Sequence, residues 1–180
     1  MMNKNPLTVF FLFISIINSL KVYAYDVDIE IKGEIHIPPC IINNGEQINV
    51  DFKNLPINEI DGVKHKVLTS VNLQCDYFDG DPYISLKGNR LMGGDDNTLD
   101  TLGKNAGVLG ISLYQGDSPN KIIINSSDNG KYGHKLTSGI DIFNSQNSTF
   151  TFTAVPTKIP GKDLVPGDFT SSAVLEIHYI

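Results

Sequence analysis

The sequence has few of the residues from which catalytic, metal-binding or nucleic-acid-binding sites are built. Its four histidines are scattered, with no His-x-x-x-His or Cys-x-x-Cys spacing, which favours solvated or structural histidines over a metal site. Lys and Arg do not cluster and the net charge is −6, so nucleic acid is an unfavourable partner. There is no Gly-x-Ser-x-Gly, Walker or Gly-x-Gly-x-x-Gly motif. We therefore expect no enzyme, no metal, no cofactor and no nucleic-acid partner.

A long apolar segment is also missing after residue 24. Before it, Lys4 precedes an apolar stretch over residues 7–20, and Val22 and Ala24 fit the small-residue rule for signal peptidase. The stretch is short for a membrane span, which needs about 20 apolar residues. We interpret residues 1–24 as a signal peptide cleaved after Ala24, in preference to a membrane anchor. The sequence thus predicts an exported protein without membrane insertion.

Cysteine is scarce, since only Cys40 and Cys75 are present. In an exported chain, an even number of cysteines indicates a disulfide. Closing a loop of about 36 residues would stabilise the fold by about 4 kcal/mol in the chain-entropy account. No linker, low-complexity tract or internal repeat divides the chain after the leader. We predict one domain with one disulfide, Cys40–Cys75.

The dominant apolar period after the leader is two, which is typical of half-buried strands. Clusters of Gly, Asn, Asp and Pro separate the alternating segments and predict turns. We therefore expect an all-β sandwich, with a short helical turn allowed at 54–61 or 98–105. The strand candidates are 27–37, 48–52, 67–75, 83–86, 108–114, 121–124, 150–154 and 169–179.

The segment from Tyr25 to Cys40 is the most informative strand candidate. One position on its apolar face is Gly33, and glycine in a strand weakens it and often marks a close backbone approach. Pro38 and Pro39 then end the ladder because they cannot donate backbone hydrogen bonds. Residues 25–39 can therefore project as an arm, the alternative being the first strand of the chain's own sandwich. The apolar face consists of Val27, Ile29, Ile31, Gly33, Ile35 and Ile37.

The last strand candidate runs from Gly167 to Ile180. We expect no further sequence to cover its edge, and a long apolar edge strand recruits partners. Pairing with a strand from another chain would satisfy that edge. Its apolar face consists of Phe169, Ala173, Leu175, Ile177 and Tyr179.

These features together resemble chaperone–usher pilins. The pattern is an alternating arm with a central glycine, a cysteine just after it, a second cysteine further along, a penultimate tyrosine, and a glycine fourteenth from the end. The stretches IPPCIINNGEQINVDF, LMGGDDNTL, GISLYQG and STFTFTAVP are similar to the minor tip subunit that adapts the adhesin to the fibre in P pili. The resemblance implies an incomplete immunoglobulin-like β-sandwich that lacks its seventh strand. A periplasmic chaperone, and then the next subunit, would supply that strand at an outer-membrane usher.

The resemblance also implies roles for individual residues. Residues 25–39 correspond to the donor-strand extension and residues 40–180 to the pilin domain. The family's groove pockets would receive Ile31, Gly33, Ile35 and Ile37, with Val27 and Ile29 further out on the same face. The strand from Phe169 to Tyr179, preceded by Gly167, would line the acceptor groove, and chaperone cations would anchor the carboxylate of Ile180.

The function implied is that of a structural minor subunit in the cell-surface pilus of a Gram-negative bacterium, supporting cell adhesion. Its partners would be the chaperone, the usher, neighbouring pilins and the tip adhesin. Two alternatives stay open at this point. One is a sugar-binding tip subunit that uses Tyr77, Phe78, Tyr83 or Tyr132 as a stacking platform. The other is a different pilin role, either a terminator with a blocked groove or the major rod pilin.

Overall fold

A computed structural model of the chain describes residues 25–180. The described residues fall into two units that divide between Ile35 and His36. In the first unit, residues 25–35 form no helix or strand, so the predicted strand at 27–37 has no partner within the described chain. The predicted signal peptide, residues 1–24, lies outside the described residues.

The second unit contains β-strands and three single-turn 3-10 helices. The turns are Asn43–Gly45, Ile57–Glu59 and Gly130–Tyr132. The strands are β1 (Ile41–Ile42), β2 (Val67–Gln74), β3 (Pro82–Gly88), β4 (Thr98–Asp100), β5 (Leu102–Gly103), β6 (Leu109–Gln115), β7 (His134–Lys135), β8 (Asn147–Lys158), β9 (Phe169–Thr170) and β10 (Ala173–Tyr179).

Five of these strands form the larger sheet, in the order β1-β2-β8-β6-β4. The long strand β8 pairs antiparallel with β2 on one side and with β6 on the other. The period-two pattern fits this position in the sheet, because alternate residues of β8 face the core. Phe150 and Phe152 are two residues apart on that face, and their rings stack with centroids 6.0 Å apart.

Three strands form the smaller sheet, in the order β10-β3-β7, and β5 pairs separately with β9. β10 pairs with β3 along its whole length, from Ala173 opposite Gly88 to Tyr179 opposite Pro82. The strand predicted at 169–179 is therefore split at residues 171–172, because β9 pairs with β5 while β10 pairs with β3. The Ser171 hydroxyl donates a hydrogen bond to the Asp100 carbonyl at 2.7 Å and holds this break in place.

The hydrophobic core lies between the two sheets. Leu73 and Phe150 project from the larger sheet, Ile84 and Ile177 from the smaller one, and all four are fully buried. This arrangement is an immunoglobulin-like β-sandwich and confirms the predicted fold class. Among residues 25–180, no helix is long and apolar enough to cross a membrane, and no group of His, Cys, Asp and Glu could hold a metal ion.

Two local predictions need correction. Residues 98–105 form no helical turn, because Thr98–Asp100 pair with β6 instead. Residues 121–124 make only isolated bridges, from Lys121 to Tyr114 and from Ile124 to Leu86. The other turn, at 54–61, contains the 3-10 helix Ile57–Glu59.

The predicted disulfide, Cys40–Cys75, is present. Both residues are buried, and Cys75 directly follows β2 of the larger sheet. The backbone N–H of Cys40 donates to the carbonyl of Ile177 in the smaller sheet at 2.8 Å. Cys40 therefore ties both sheets together at one end of β10.

A candidate strand-binding groove beside β10

An open groove of about 970 Å³ runs beside β10. One wall consists of residues 169–176 and the other of residues 46–50 together with Phe52. Apolar side chains from both sheets form its floor, namely Leu86, Leu99, Ile111, Leu113, Ile122, Phe152 and Ala154.

The first wall has an unpaired backbone edge. The Ile177 carbonyl bonds to Cys40, on the side of β10 away from β3. Backbone groups alternate in direction along a strand, so the N–H and C=O groups of Ala173 and Leu175 point to that same side. No described strand pairs with β10 there. The first half of β10 therefore offers a ladder position for another strand.

The second wall also has free backbone groups. Ile48, Val50 and Phe52 are half-buried and pack against the core, while the residues between them are exposed. The predicted alternation is thus present at 48–52, but no strand forms. A strand is defined by hydrogen bonds to a neighbour, and no backbone hydrogen bond links residues 48–52 to another part of the described chain. The neighbouring position on this side is the groove itself.

Both ends of the groove are marked by contacts between its walls. At one end, Cys40 bonds to Ile177. At the other, the rings of Phe52 and Phe169 approach with centroids 6.3 Å apart. Two extended walls and an apolar floor make a site that suits one extended segment with alternating apolar side chains.

The residues predicted for the acceptor strand do not all lie in the groove. Phe169, Ala173 and Leu175 line it, whereas Ile177 and Tyr179 are fully buried in the core. Gly167 lies outside, where a Cβ would be 3.0 Å from the Lys104 side chain. The floor residues and the wall at 46–52 were not singled out in the sequence, although the half-buried pattern at 48–52 was a signal for the wall.

Ile180 pairs with the loop that follows β2. Its N–H donates to the Asp81 carbonyl and its carbonyl accepts from the Asp81 N–H, both at 3.0 Å. At Gly80, whose φ is +107°, a Cβ would be 2.7 Å from the Ile180 oxygen. Glycine is required there because a side chain would collide with the end of β10.

The arm differs from the domain in exposure. Within residues 25–35, the predicted donor side chains are almost entirely exposed, from 81% at Val27 to 103% at Ile35. A Cβ added at Gly33 would meet no described atom within 4 Å. Nothing in the chain's own described structure therefore requires glycine at this position. Ile37 belongs to the second unit and is half-buried.

Two buried histidines make the stability of the domain depend on pH. Burial lowers the pKa of His134 and of His178 below the ordinary 6.5, although Glu176 opposes this shift at His178. The unfolded chain therefore binds protons that the folded domain does not, and the stabilisation present above about pH 6.5 is lost as the pH falls. We expect a lower melting temperature at about pH 5 than at about pH 7.5, measured by circular dichroism.

The control is a His134→Gln/His178→Gln variant. Glutamine does not titrate, so the melting temperature of the variant should change less between the two pH values. Asp61, whose pKa is lowered from 3.8 by backbone N–H groups of Lys64 and Val63, titrates below this range and does not interfere. An equally large change in the variant would contradict the assignment to these histidines.

Comparison with known proteins places this fold and groove in a family. The sequence pattern of the fimbrial protein family matches residues 29–180. The fimbrial adapter PapF of Escherichia coli is 37% identical over 168 residues, covering 93% of this chain and 96% of PapF. The minor fimbrial protein PrsF of the same organism is 36% identical with the same coverage.

Solved structures agree with the sequence comparison. The P pilus adaptor subunit PapF matches with a TM-score of 0.55 at 31% identity, over 82% of this chain and all of that one. The P pilus rod subunit PapA shares the fold at 20% identity, with a TM-score of 0.60 over 79% of this chain and all of PapA. Fimbrial subunits of this kind are exported to the cell-surface pilus, as the leader predicts. The chain belongs to the fimbrial protein family, a family of structural pilus subunits and not of enzymes.

Proposed function

We propose that the chain is a minor adaptor subunit that links two neighbours in a pilus by accepting one strand and donating another. The groove carries this proposal, since its two unpaired backbone edges face each other across an apolar floor. An extended segment placed there would form a ladder with Ala173 and Leu175 on one side. On the other side it would meet the free backbone of residues 48–52.

Insertion would be driven by burial of the incoming side chains. The floor residues are already buried, so most of the apolar area removed from water would come from the inserted strand. Each large aliphatic side chain so buried contributes roughly 1.5–3 kcal/mol. Several buried aliphatic side chains, together with a ladder of backbone hydrogen bonds, would give a stable complex between two subunits without any catalysed step. A chaperone strand would protect the same edge before assembly.

The arm is suited to the donating role. Its alternating apolar side chains are exposed, and an exposed apolar stripe of this kind indicates an interaction surface. Gly33 interrupts the stripe where the chain's own described structure leaves room for a side chain. The reason for the glycine is then a shallow position in the groove of the receiving subunit. Pro38 and Pro39 separate this arm from β1.

An adaptor role is favoured over the other pilin roles. The chain is 37% identical to the adapter PapF and 20% identical to the rod subunit PapA. An open groove argues against a terminator, whose groove would be blocked. The aromatics considered for a sugar platform do not form one surface, because Phe78 packs against the core and Tyr132 packs edge-on against His178.

The acceptor role can be tested with peptides. Peptides spanning the N-terminal arms of the fimbrial subunits from the same bacterium would be added to the purified mature chain. A matching peptide at a hundred times its dissociation constant adds about 2.7 kcal/mol, which raises the melting temperature by roughly 5–10 °C. Peptides of the same composition without alternation should have no effect.

Two matched variants locate the binding site. Leu175→Asp places a charge on the groove wall and should abolish the thermal shift. Leu68→Asp makes the same change on the outer side of β2, where Leu68 is 54% exposed, and should leave the shift intact. If both variants bound the peptide equally well, the peptide would bind outside the groove. If no peptide bound the wild-type chain, a terminator role would be favoured.

A further inference from the structure

A second apolar surface lies on the domain, separate from the groove. Tyr77 follows β2, while Ile142 and Phe143 precede β8, and these three side chains are 43–55% exposed. We call these three residues the aromatic patch. Neither of the roles proposed above uses them. Exposed aromatic side chains are enriched where proteins bind other proteins.

The two loops that carry the aromatic patch are fastened to each other. The N–H of Cys75 donates to the Gln146 carbonyl at 2.8 Å. The Asn144 amide, in the orientation that satisfies both of its ends, donates to the carbonyls of Phe78 at 3.2 Å and Gly80 at 2.9 Å. These bonds lie on both sides of Tyr77 along the chain and just after Phe143, so the two loops are held together beside the aromatic patch.

The aromatic patch lies close to the point where the arm leaves the domain. The Cα atoms of Cys40 and Cys75 are 4.2 Å apart, and Tyr77 is two residues beyond Cys75, at most about 7 Å away. Ile37 is three residues before Cys40, at most about 11 Å away. These separations add up to at most about 22 Å between Ile37 and Tyr77, which is less than the width of one domain, so a subunit that holds the arm as far as Ile37 can reach Tyr77.

We propose that the aromatic patch is a second contact with the subunit that receives the arm. This inference rests on the proposed donating role of residues 25–39. The neighbouring carboxylates of Asp76 and Asp79 are exposed and have no ion-pair partner among the described residues. The complementary face on the receiver would therefore be apolar with cationic groups at its rim. Such a contact is small and would act together with strand insertion, fixing the angle between the two subunits.

Site-specific photo-cross-linking in assembled pili tests this proposal. Benzoylphenylalanine would replace Phe143, Ile31 in the arm, or Met92, and captured proteins would be identified by mass spectrometry. Met92 is a matched control, since it is 84% exposed and precedes Gly93, which lies beside Ile159 just past the far end of β8. We expect positions 31 and 143 to capture the same subunit and position 92 not to capture it.

The possible results separate this inference from the proposed function. If position 31 captures a subunit while position 143 captures none or a different one, the inference is overturned and strand donation stands. If position 31 captures no subunit, donation fails, and this inference fails with it. Capture of the same subunit from position 92 would show that the contact is not confined to the aromatic patch.

A kinetic measurement adds an independent test. In Tyr77→Ser/Phe143→Ser, the purified complex with the captured subunit should dissociate roughly tenfold faster, because two interface aromatics are lost. A Val63→Ser/Met92→Ser control removes two side chains that are 75% and 84% exposed and should dissociate at the original rate. An unchanged rate in the first variant would contradict the proposal. A sugar-binding role for the aromatic patch would also contradict the proposal. It would be indicated if a glycan bound the wild type but not the first variant and position 143 captured no subunit.

Discussion

Replacing both cysteines, as Cys40→Ala/Cys75→Ala, is expected to lower the free energy of unfolding by about 4 kcal/mol. That is a large part of the 5–15 kcal/mol by which domains are ordinarily stable. The loss has two structural sources. First, the unfolded chain gains conformational entropy, because a loop of 35 residues is no longer closed. Second, residue 40 is no longer bonded to the end of β2, so its backbone hydrogen bond to Ile177 is held less firmly. Urea unfolding followed by circular dichroism would measure the change.

Reduction of the wild-type disulfide provides the control for this prediction. A reducing agent should lower the stability of the wild-type protein towards that of the double variant and leave the double variant unchanged. Tyrosine fluorescence can serve as a second probe, since the chain has no tryptophan. A loss below about 1 kcal/mol would mean that the packing around these residues holds β1 without the covalent bond.

Substituting Gly33→Ile is expected to slow strand donation roughly ten- to a hundredfold. The added side chain would have to enter a shallow position in the receiving groove, and overpacking of this kind costs about 1–3 kcal/mol. The stability of the chain itself should not change, because a side chain at this position meets no described atom within 4 Å. The rate of complex formation with the receiving subunit, followed by gel electrophoresis, measures the effect.

Lys32→Ile is the matched control for this substitution. It adds the same side chain one residue away, on the opposite face of the extended arm, where Lys32 pairs with exposed Glu30 at 2.6 Å. Such surface ion pairs contribute little to stability, so donation should proceed at nearly the original rate. If Gly33→Ile donated as fast as Lys32→Ile, the receiving groove would have room for a side chain at this position.

Several features of the fold could be predicted because they depend on local geometry or on a count of residues. The alternation in β2, and at 150–154 in β8, reflects the local geometry of a strand, whose side chains point to opposite faces in turn. The disulfide followed from a count of two cysteines in an exported chain. The donor arm at residues 25–39 stays a prediction, made because Pro38 and Pro39 follow an alternating segment with a glycine in it.

The groove could be predicted only in part. Residues 48–52 alternate as a strand does, yet they form no ladder in the domain, because pairing depends on which chain segment lies alongside. The same reason explains the division of the last strand at residues 171–172. Ile177 and Tyr179 share a periodic face with Ala173 and Leu175, but Cys40 covers the second half of β10 and leaves only the first half open.

The sequence by itself determined the fold class, the disulfide and the family, since these follow from local periodicity, from the count of cysteines and from motifs along the chain. Only the tertiary structure decided which residues line the groove and which are buried below it. It also joined the loop that carries Tyr77 to the loop that carries Phe143 by hydrogen bonds, although the two loops are far apart in sequence. The physical reason is that strand pairing and loop contacts are long-range, and alternation shows which side chains share a face but not what that face meets.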